Sequence, residues 1–240
     1  MKNAIVTGGT KGIGLAISKM LLQEDFFVTI TYAQNSLAAE SCRESLNSIS
    51  ENYEIVKADQ SSKLEMQAFV NHILTTKKSV DCLVCNAGAT LRKSLLETSN
   101  EDWENTMLVN VNSNVYLIRD LYSLIPHSSR IIFIGSLMAI HPHSTSLAYG
   151  VTKSALHALA KNLVKSFEDT GTTVNVIAPG FVETEWQKGK PQYIRNSIYG
   201  KTAIKRFADV EEIANAVKFC IHNAFLNGSV IEISGGYSYT

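Results

Sequence analysis

Seven short runs of β-branched and apolar residues, separated by segments of helical period, are what most restrict the folds open to this chain. The runs are Ala4-Ile5-Val6-Thr7, Phe27-Val28-Thr29-Ile30-Thr31-Tyr32, Glu54-Ile55-Val56-Lys57, Cys82-Leu83-Val84-Cys85, Ile131-Ile132-Phe133-Ile134, Thr173-Val174-Asn175-Val176-Ile177 and Val230-Ile231-Glu232-Ile233. Between them apolar residues recur at helix spacing, as at Leu15, Ile17 and Leu21-Leu22, or at Met66, Phe69, Val70 and Ile73. Repeated strand-helix units imply a parallel sheet with right-handed crossovers and helices on both faces. The expected fold is therefore α/β, a doubly wound seven-stranded parallel sheet. Only four prolines occur, and no linker, repeat or low-complexity stretch interrupts the alternation, so residues 1–240 read as a single domain.

Composition narrows the partners. Lys and Arg number 22 against 22 Asp and Glu, which leaves no excess of cations to track nucleic acid or an anionic membrane. A small molecule is the expected partner. No apolar stretch reaches the roughly 18 residues of a membrane span, and no secretory segment stands before the first strand, so a cytoplasmic location is expected. The four cysteines, Cys42, Cys82, Cys85 and Cys220, are too scattered for a disulfide framework. Cys82 and Cys85 form a CxxC within a strand, where residues three apart point to opposite faces, so they read as core. Asn227-Gly-Ser fits a glycosylation triplet that arises readily by chance. No metal site is expected, since the His141-Pro142-His143 pair lacks a third ligand.

Open parallel sheets bind ligands beyond the carboxyl ends of their strands. The first strand there runs into Thr7-Gly8-Gly9-Thr10-Lys11-Gly12-Ile13-Gly14 and then a helix. Glycines at 8, 12 and 14 allow a tight turn and close approach of a ligand, while the helix N-terminus offers free N–H groups to a pyrophosphate. Tyr149 and Lys153 stand four apart and share one face of a helix. An ammonium beside a phenol favours the phenolate and is expected to lower the tyrosine pKa from about 10 towards neutrality, where acid/base catalysis is effective.

The Thr7–Gly14 loop resembles the TGxxxGxG loop of the short-chain dehydrogenase/reductase family. Asn86-Ala87-Gly88, Gly135-Ser136, Tyr149-Gly-Val-Thr-Lys153 and Pro179-Gly180 follow in family order and span almost the whole chain. The resemblance implies a Rossmann fold and hydride transfer between a nicotinamide and a ketone or secondary alcohol. In that family Tyr149 exchanges a proton with the substrate oxygen and Lys153 grips the nicotinamide ribose. Ser136 hydrogen-bonds the reacting oxygen, and Asn110 holds a water that links the lysine to solvent. The implied cofactor contacts are Gly8, Thr10, Lys11, Gly12, Ile13, Gly14, Tyr32, Asp59, Asn86, Ala87, Gly88, Pro179, Gly180, Val182 and Thr184, together with Tyr149 and Lys153.

No carboxylate ends the second strand at Thr31-Tyr32-Ala33-Gln34-Asn35, and Lys11 stands where phosphate-binding members carry a base, so NADP(H) is favoured over NAD(H). Lys205–Ala214 and Gly235-Gly236-Tyr237 resemble the 3-oxoacyl-acyl-carrier-protein reductase branch. Carrier docking in that branch uses cations before the fifth and sixth strands, where this chain has only Arg130 alongside Glu168 and Asp169. An acyl-thioester and a small free ketone, alcohol or sugar both remain open as substrates. So does a dinucleotide sensor without catalysis, which the intact tetrad disfavours. The segment from Glu183 to Lys201 resembles the family's mobile lid; its Lys188, Lys190, Arg195 and Lys201 fit either an anionic substrate or a solvated face. Ala155, Leu156, Ala158, Leu159, Ala160, Leu163 and Val164 spread wider than one apolar stripe, and a homodimer or homotetramer is expected.

Overall fold

The computed structural model describes residues 1–142 and 146–239. Its seven strands are β1 (Lys2–Val6), β2 (Phe26–Tyr32), β3 (Tyr53–Lys57), β4 (Cys82–Cys85), β5 (Arg130–Ile134), β6 (Thr173–Pro179) and β7 (Val230–Ile233). They form one sheet in the order β3-β2-β1-β4-β5-β6-β7, and every pairing is parallel. The expected doubly wound architecture is the observed one. Strand order reverses between β1 and β4, so the crevice at their carboxyl ends is the natural ligand site.

Side-chain alternation along the strands supplies a core to each face. Ala4 and Val6 of β1, Cys82 and Val84 of β4 and Ile132 and Ile134 of β5 pack with α1 (Gly12–Gln23), α2 (Ser36–Asn47) and α9 (Val210–His222). Ile5, Leu83, Cys85, Ile131 and Phe133 point the other way, towards α3 (Lys63–Thr76), α5 (Ser113–Asp120) and α6 (Leu147–Ser166). Each such aliphatic, removed from water, contributes about 1.5–3 kcal/mol. Cys82 and Cys85 thus lie on opposite faces, as the strand period requires, and burial pushes the Cys82 thiol up to about 12.

Helix starts follow their capping residues. Asn35 accepts from Ala38 N–H at 2.8 Å, Ser62 from Glu65 N–H at 3.2 Å, and Ser99 and Asp102 form a reciprocal box that opens α4 (Asn100–Met107). The helix does not pass smoothly from α4 into α5. Residues Leu108–Asn112 form a π turn, an element that the motif pattern does not announce. Two short helices, α7 (Glu185–Lys188) and α8 (Gln192–Tyr199), occupy the segment expected to act as a lid.

Candidate active site

The site assembles from the loops that leave β1, β4, β5 and β6. Thr7 extends β1 by donating its N–H to the Val84 carbonyl at 3.0 Å, and Gly9 N–H reaches Thr31 on the other side at 3.0 Å. The glycine-rich turn is thereby held between both neighbours. Gly12 has φ +53°, and a side chain there would meet nothing closer than Thr184 Cγ2 at 3.5 Å. Gly14 is glycine for another reason: a Cβ would stand 2.4 Å from the Gly8 carbonyl oxygen and 2.5 Å from Asn86 Nδ2. That position serves packing, so the three glycines of the motif do not share one role.

Unlike α2, α3 and α4, α1 starts at Lys11 with no side-chain cap. Its first N–H groups lie behind an open glycine, the arrangement that suits a pyrophosphate. Lys11 is exposed, Ile13 half-buried and Thr10 buried in this loop. Asn86 is a fastener: its amide donates to the Thr7 and Gly8 carbonyls at 2.9 and 3.0 Å, while the N–H groups of Asn86 and Ala87 both donate to Thr7 Oγ1 at 3.0 Å. Its side chain is therefore spent on the loop, and any contact of this segment with a cofactor falls to its surroundings.

At the carboxyl end of β2, Tyr32 lies beside Lys57 of β3. Asp59 accepts from Ser61 N–H at 2.9 Å, from the Ser61 hydroxyl at 2.7 Å and from Gln34 Nε2 at 3.4 Å. Burial pushes this carboxyl upward, but those hydrogen bonds outweigh it and hold the pKa below its ordinary value. On the far side Pro179 ends β6, Gly180 packs on Ser234, Val182 bridges to Ala208 and Thr184 faces Gly12.

The four candidate catalytic residues come together where β4 and β5 end. Lys153 is buried and its ammonium donates to the Ile134 carbonyl at 2.7 Å. It lies 5.7 Å from the centre of the Tyr149 ring. Tyr149 and Ser136 share a side-chain hydrogen bond, and Ser136 Oγ also accepts from Met138 N–H at 3.1 Å. Asn110 is fully buried within the π turn. Its Oδ1 accepts from Ala89 N–H at 2.7 Å, and its Nδ2 donates to the Ala89 carbonyl and to Thr152 Oγ1, both at 2.9 Å. Its carbonyl accepts from Asn114 Nδ2 at 2.8 Å. Gly88 lies between them, since a Cβ there would be 3.2 Å from Asn110 Oδ1 and 3.4 Å from Lys153 Nζ. Thr152, which no motif marks, ties the π turn to α6 by donating in turn to the Tyr149 carbonyl at 2.8 Å.

The electrostatics depart from expectation. Burial raises the Tyr149 phenol above its ordinary pKa, with the Ser136 hydrogen bond opposing, whereas the lysine was expected to lower it. Lys153 does not reverse this, although burial lowers its own pKa only to about 8 and so leaves it largely protonated at neutral pH. The phenol is thus held protonated. His141, five residues after Ser136, packs on Tyr237 at 5.3 Å, and Phe181, Phe207 and Tyr199 continue this aromatic cluster. His143 lies outside the described residues.

Residues 8–238 match a family model described as enoyl-(acyl carrier protein) reductase. The 3-oxoacyl-[acyl-carrier-protein] reductase FabG of Staphylococcus epidermidis is 26% identical over 239 residues, covering 98% of both chains. Among solved structures, a short-chain dehydrogenase/reductase from Serratia marcescens superposes with a TM-score of 0.92 at 30% identity, covering 99% of this chain and 98% of that one. A Burkholderia cenocepacia short chain dehydrogenase in complex with NADP gives 0.89 at 26% identity, covering 98% and 97%. On the reversed-order parallel sheet, the clustered Asn110, Ser136, Tyr149 and Lys153, and these matches across nearly its full length, the chain belongs to the short-chain dehydrogenase/reductase family, NAD(P)-dependent oxidoreductases that act on carbonyl and CH–OH groups.

Proposed function

We propose that the protein is a cytoplasmic, NADP(H)-dependent carbonyl reductase of the 3-oxoacyl reductase type. The observation that carries this reading is the buried Ser136–Tyr149–Lys153 arrangement, with a phenol kept protonated at the end of β5. When bound, the nicotinamide supplies the hydride. Tyr149 holds the proton that the nascent alkoxide requires, and Ser136, hydrogen-bonded to that phenol, is placed to donate to the same oxygen and stabilise its charge. Lys153, anchored on the Ile134 carbonyl, orients the ribose beside it. Asn110 and Thr152 keep Gly88 and α6 in register around them. The fit of NADP(H) rests on the uncapped start of α1, the exposed Lys11 and the absence of a carboxylate at Thr31–Asn35.

A free ketone as the acceptor, in place of a carrier-borne thioester, has a specific observation in its favour. Arg130, the first residue of β5 and the lone cation at its start, donates to the carbonyls of Ser128, Ser129 and Ile221 at 2.8, 2.9 and 3.0 Å. It is engaged by its own chain. We infer in addition that the protein self-associates through α5 and α6, which leave Tyr116 and Val151 about 40% exposed.

The test is NADPH and NADH oxidation with 3-oxoacyl thioesters, ketones and sugars. NADPH-dependent turnover of a carbonyl is expected. Tyr149→Phe is expected to lower kcat by about 10²–10⁴ while NADPH still binds with unchanged affinity. Tight NADPH binding without turnover of any carbonyl would instead favour a dinucleotide sensor.

A further inference from the structure

The peptide that delivers Ser136 to the site is held from three sides. The Ile134 carbonyl accepts from Lys153 Nζ at 2.7 Å, and the Gly135 N–H donates to the Ile177 carbonyl of β6 at 2.7 Å. Ser136 follows directly, its hydroxyl bonded to Tyr149. The third side is His157, one helical turn beyond Lys153 on α6. A Cβ at Gly135 would stand 2.7 Å from Val176 Cγ1, 3.1 Å from His157 Nε2 and 3.2 Å from the Ile177 carbonyl oxygen. The ring nitrogen and that carbonyl therefore border one point behind the Ser136 turn, where only glycine fits.

The His157 ring as a whole is half-buried, but its Nε2 is sealed from water and has no hydrogen-bond partner. A buried polar atom without a partner destabilises a fold, and a leucine would fill the same space without that penalty, so packing alone does not explain an imidazole here. Its surroundings keep it uncharged. Burial, then the charge of Lys161, then that of Lys153 hold His157 below its ordinary pKa of 6.5. Both lysines belong to α6. From β5 and β6 the ring meets Gly135, Val176 and the Ile177 carbonyl, none of them charged, and Glu232 of β7 is exposed and bonded by the Ser234 hydroxyl.

We propose that His157 is a positioning residue for the reaction: its uncharged ring backs Gly135 and leaves the Ile177 carbonyl to the Gly135 N–H, which keeps Ser136 on Tyr149, and protonation of the ring undoes this. The proposal rests on the reductase reading and adds a residue to it. An imidazolium carries an N–H on both nitrogens. The acceptor nearest to hand for the Nε2 proton is the Ile177 carbonyl, in competition with Gly135, while a ring that swings out to water leaves Gly135 unsupported. Either movement displaces the hydroxyl that stabilises the nascent alkoxide, and small displacements of such a donor lower the rate.

The experiment follows kcat and KM for NADPH-dependent carbonyl reduction between about pH 5 and 8. At the acid end kcat is expected to fall about tenfold per pH unit, with KM changed less than about twofold. His157→Leu removes that acid limb. His157→Ala empties the space behind Gly135 and lowers kcat about tenfold at every pH, and leucine recovers most of the loss. A wild-type profile without an acid limb, a limb unchanged in His157→Leu, or an alanine variant as fast as wild type at the alkaline end overturns the proposal. Should no compound turn over, or the alanine variant fail to fold, NMR of the wild-type protein decides. The His157 ring and the Gly135 amide are expected to titrate together with one midpoint. A shared midpoint without turnover of any carbonyl supports the His157–Gly135 coupling while the reductase reading falls, and a Gly135 amide that ignores the His157 titration overturns the coupling itself.

Discussion

Lys153 is the residue at which stability and activity oppose each other most directly. Burial lowers its pKa from 10.5 to about 8, so the folded protein carries a cost for the charged form at neutral pH. Linkage puts that cost at about 3 kcal/mol. The hydrogen bond to Ile134 offsets about 1 kcal/mol. Lys153→Met is therefore expected to abolish turnover yet stabilise the protein by about 2 kcal/mol below pH 8. Because the unfolded lysine binds more protons than the folded one between about pH 8 and 10.5, the advantage of the variant falls to zero within that window and gives way to a small disadvantage above it. Urea titrations of both proteins from pH 7 to 10.5 check this, and the difference between them cancels the buried thiols common to both. The identity of the pair was legible from its four-residue spacing. Its protonation was not: spacing reports which side chains share a helix face, whereas the pKa values depend on how much water the rest of the fold removes.

The elements show the same division. Between α4 and α5 the helical path is interrupted by a π turn at Leu108–Asn112, which seats Asn110 against Ala89 and Thr152. Nothing in Leu-Val-Asn-Val-Asn marks a π turn, because the extra residue is accommodated by partners from β4's loop and from α6. Thr152→Val keeps the shape and removes both the acceptor for Asn110 and the donor to Tyr149. It is expected to cost about 1–3 kcal/mol in thermal or urea unfolding and to lower kcat more than it raises KM. The glycine loop was easier to read, since positive φ and close approach both demand glycine. The separate reasons for Gly12 and Gly14 needed the neighbouring loop to be in place.

At the scale of the whole molecule, the exposed apolar side chains on α5 and α6 set an expectation about assembly. Sedimentation at micromolar concentration should give a dimer or tetramer of the 26.4 kDa chain, and Val151→Glu should shift it towards monomer; a monomer at every concentration would refute self-association. Strand positions, the alternation of helix and strand and the chain order of Asn110, Ser136, Tyr149 and Lys153 follow from the amino-acid sequence alone, because side-chain period and local sterics act over a few residues. Strand order, the π turn, a phenol held protonated and the capture of Arg130 by backbone carbonyls were decided by tertiary structure. Each depends on burial and charge among groups that are distant along the chain, and those quantities acquire values only once the sheet has closed.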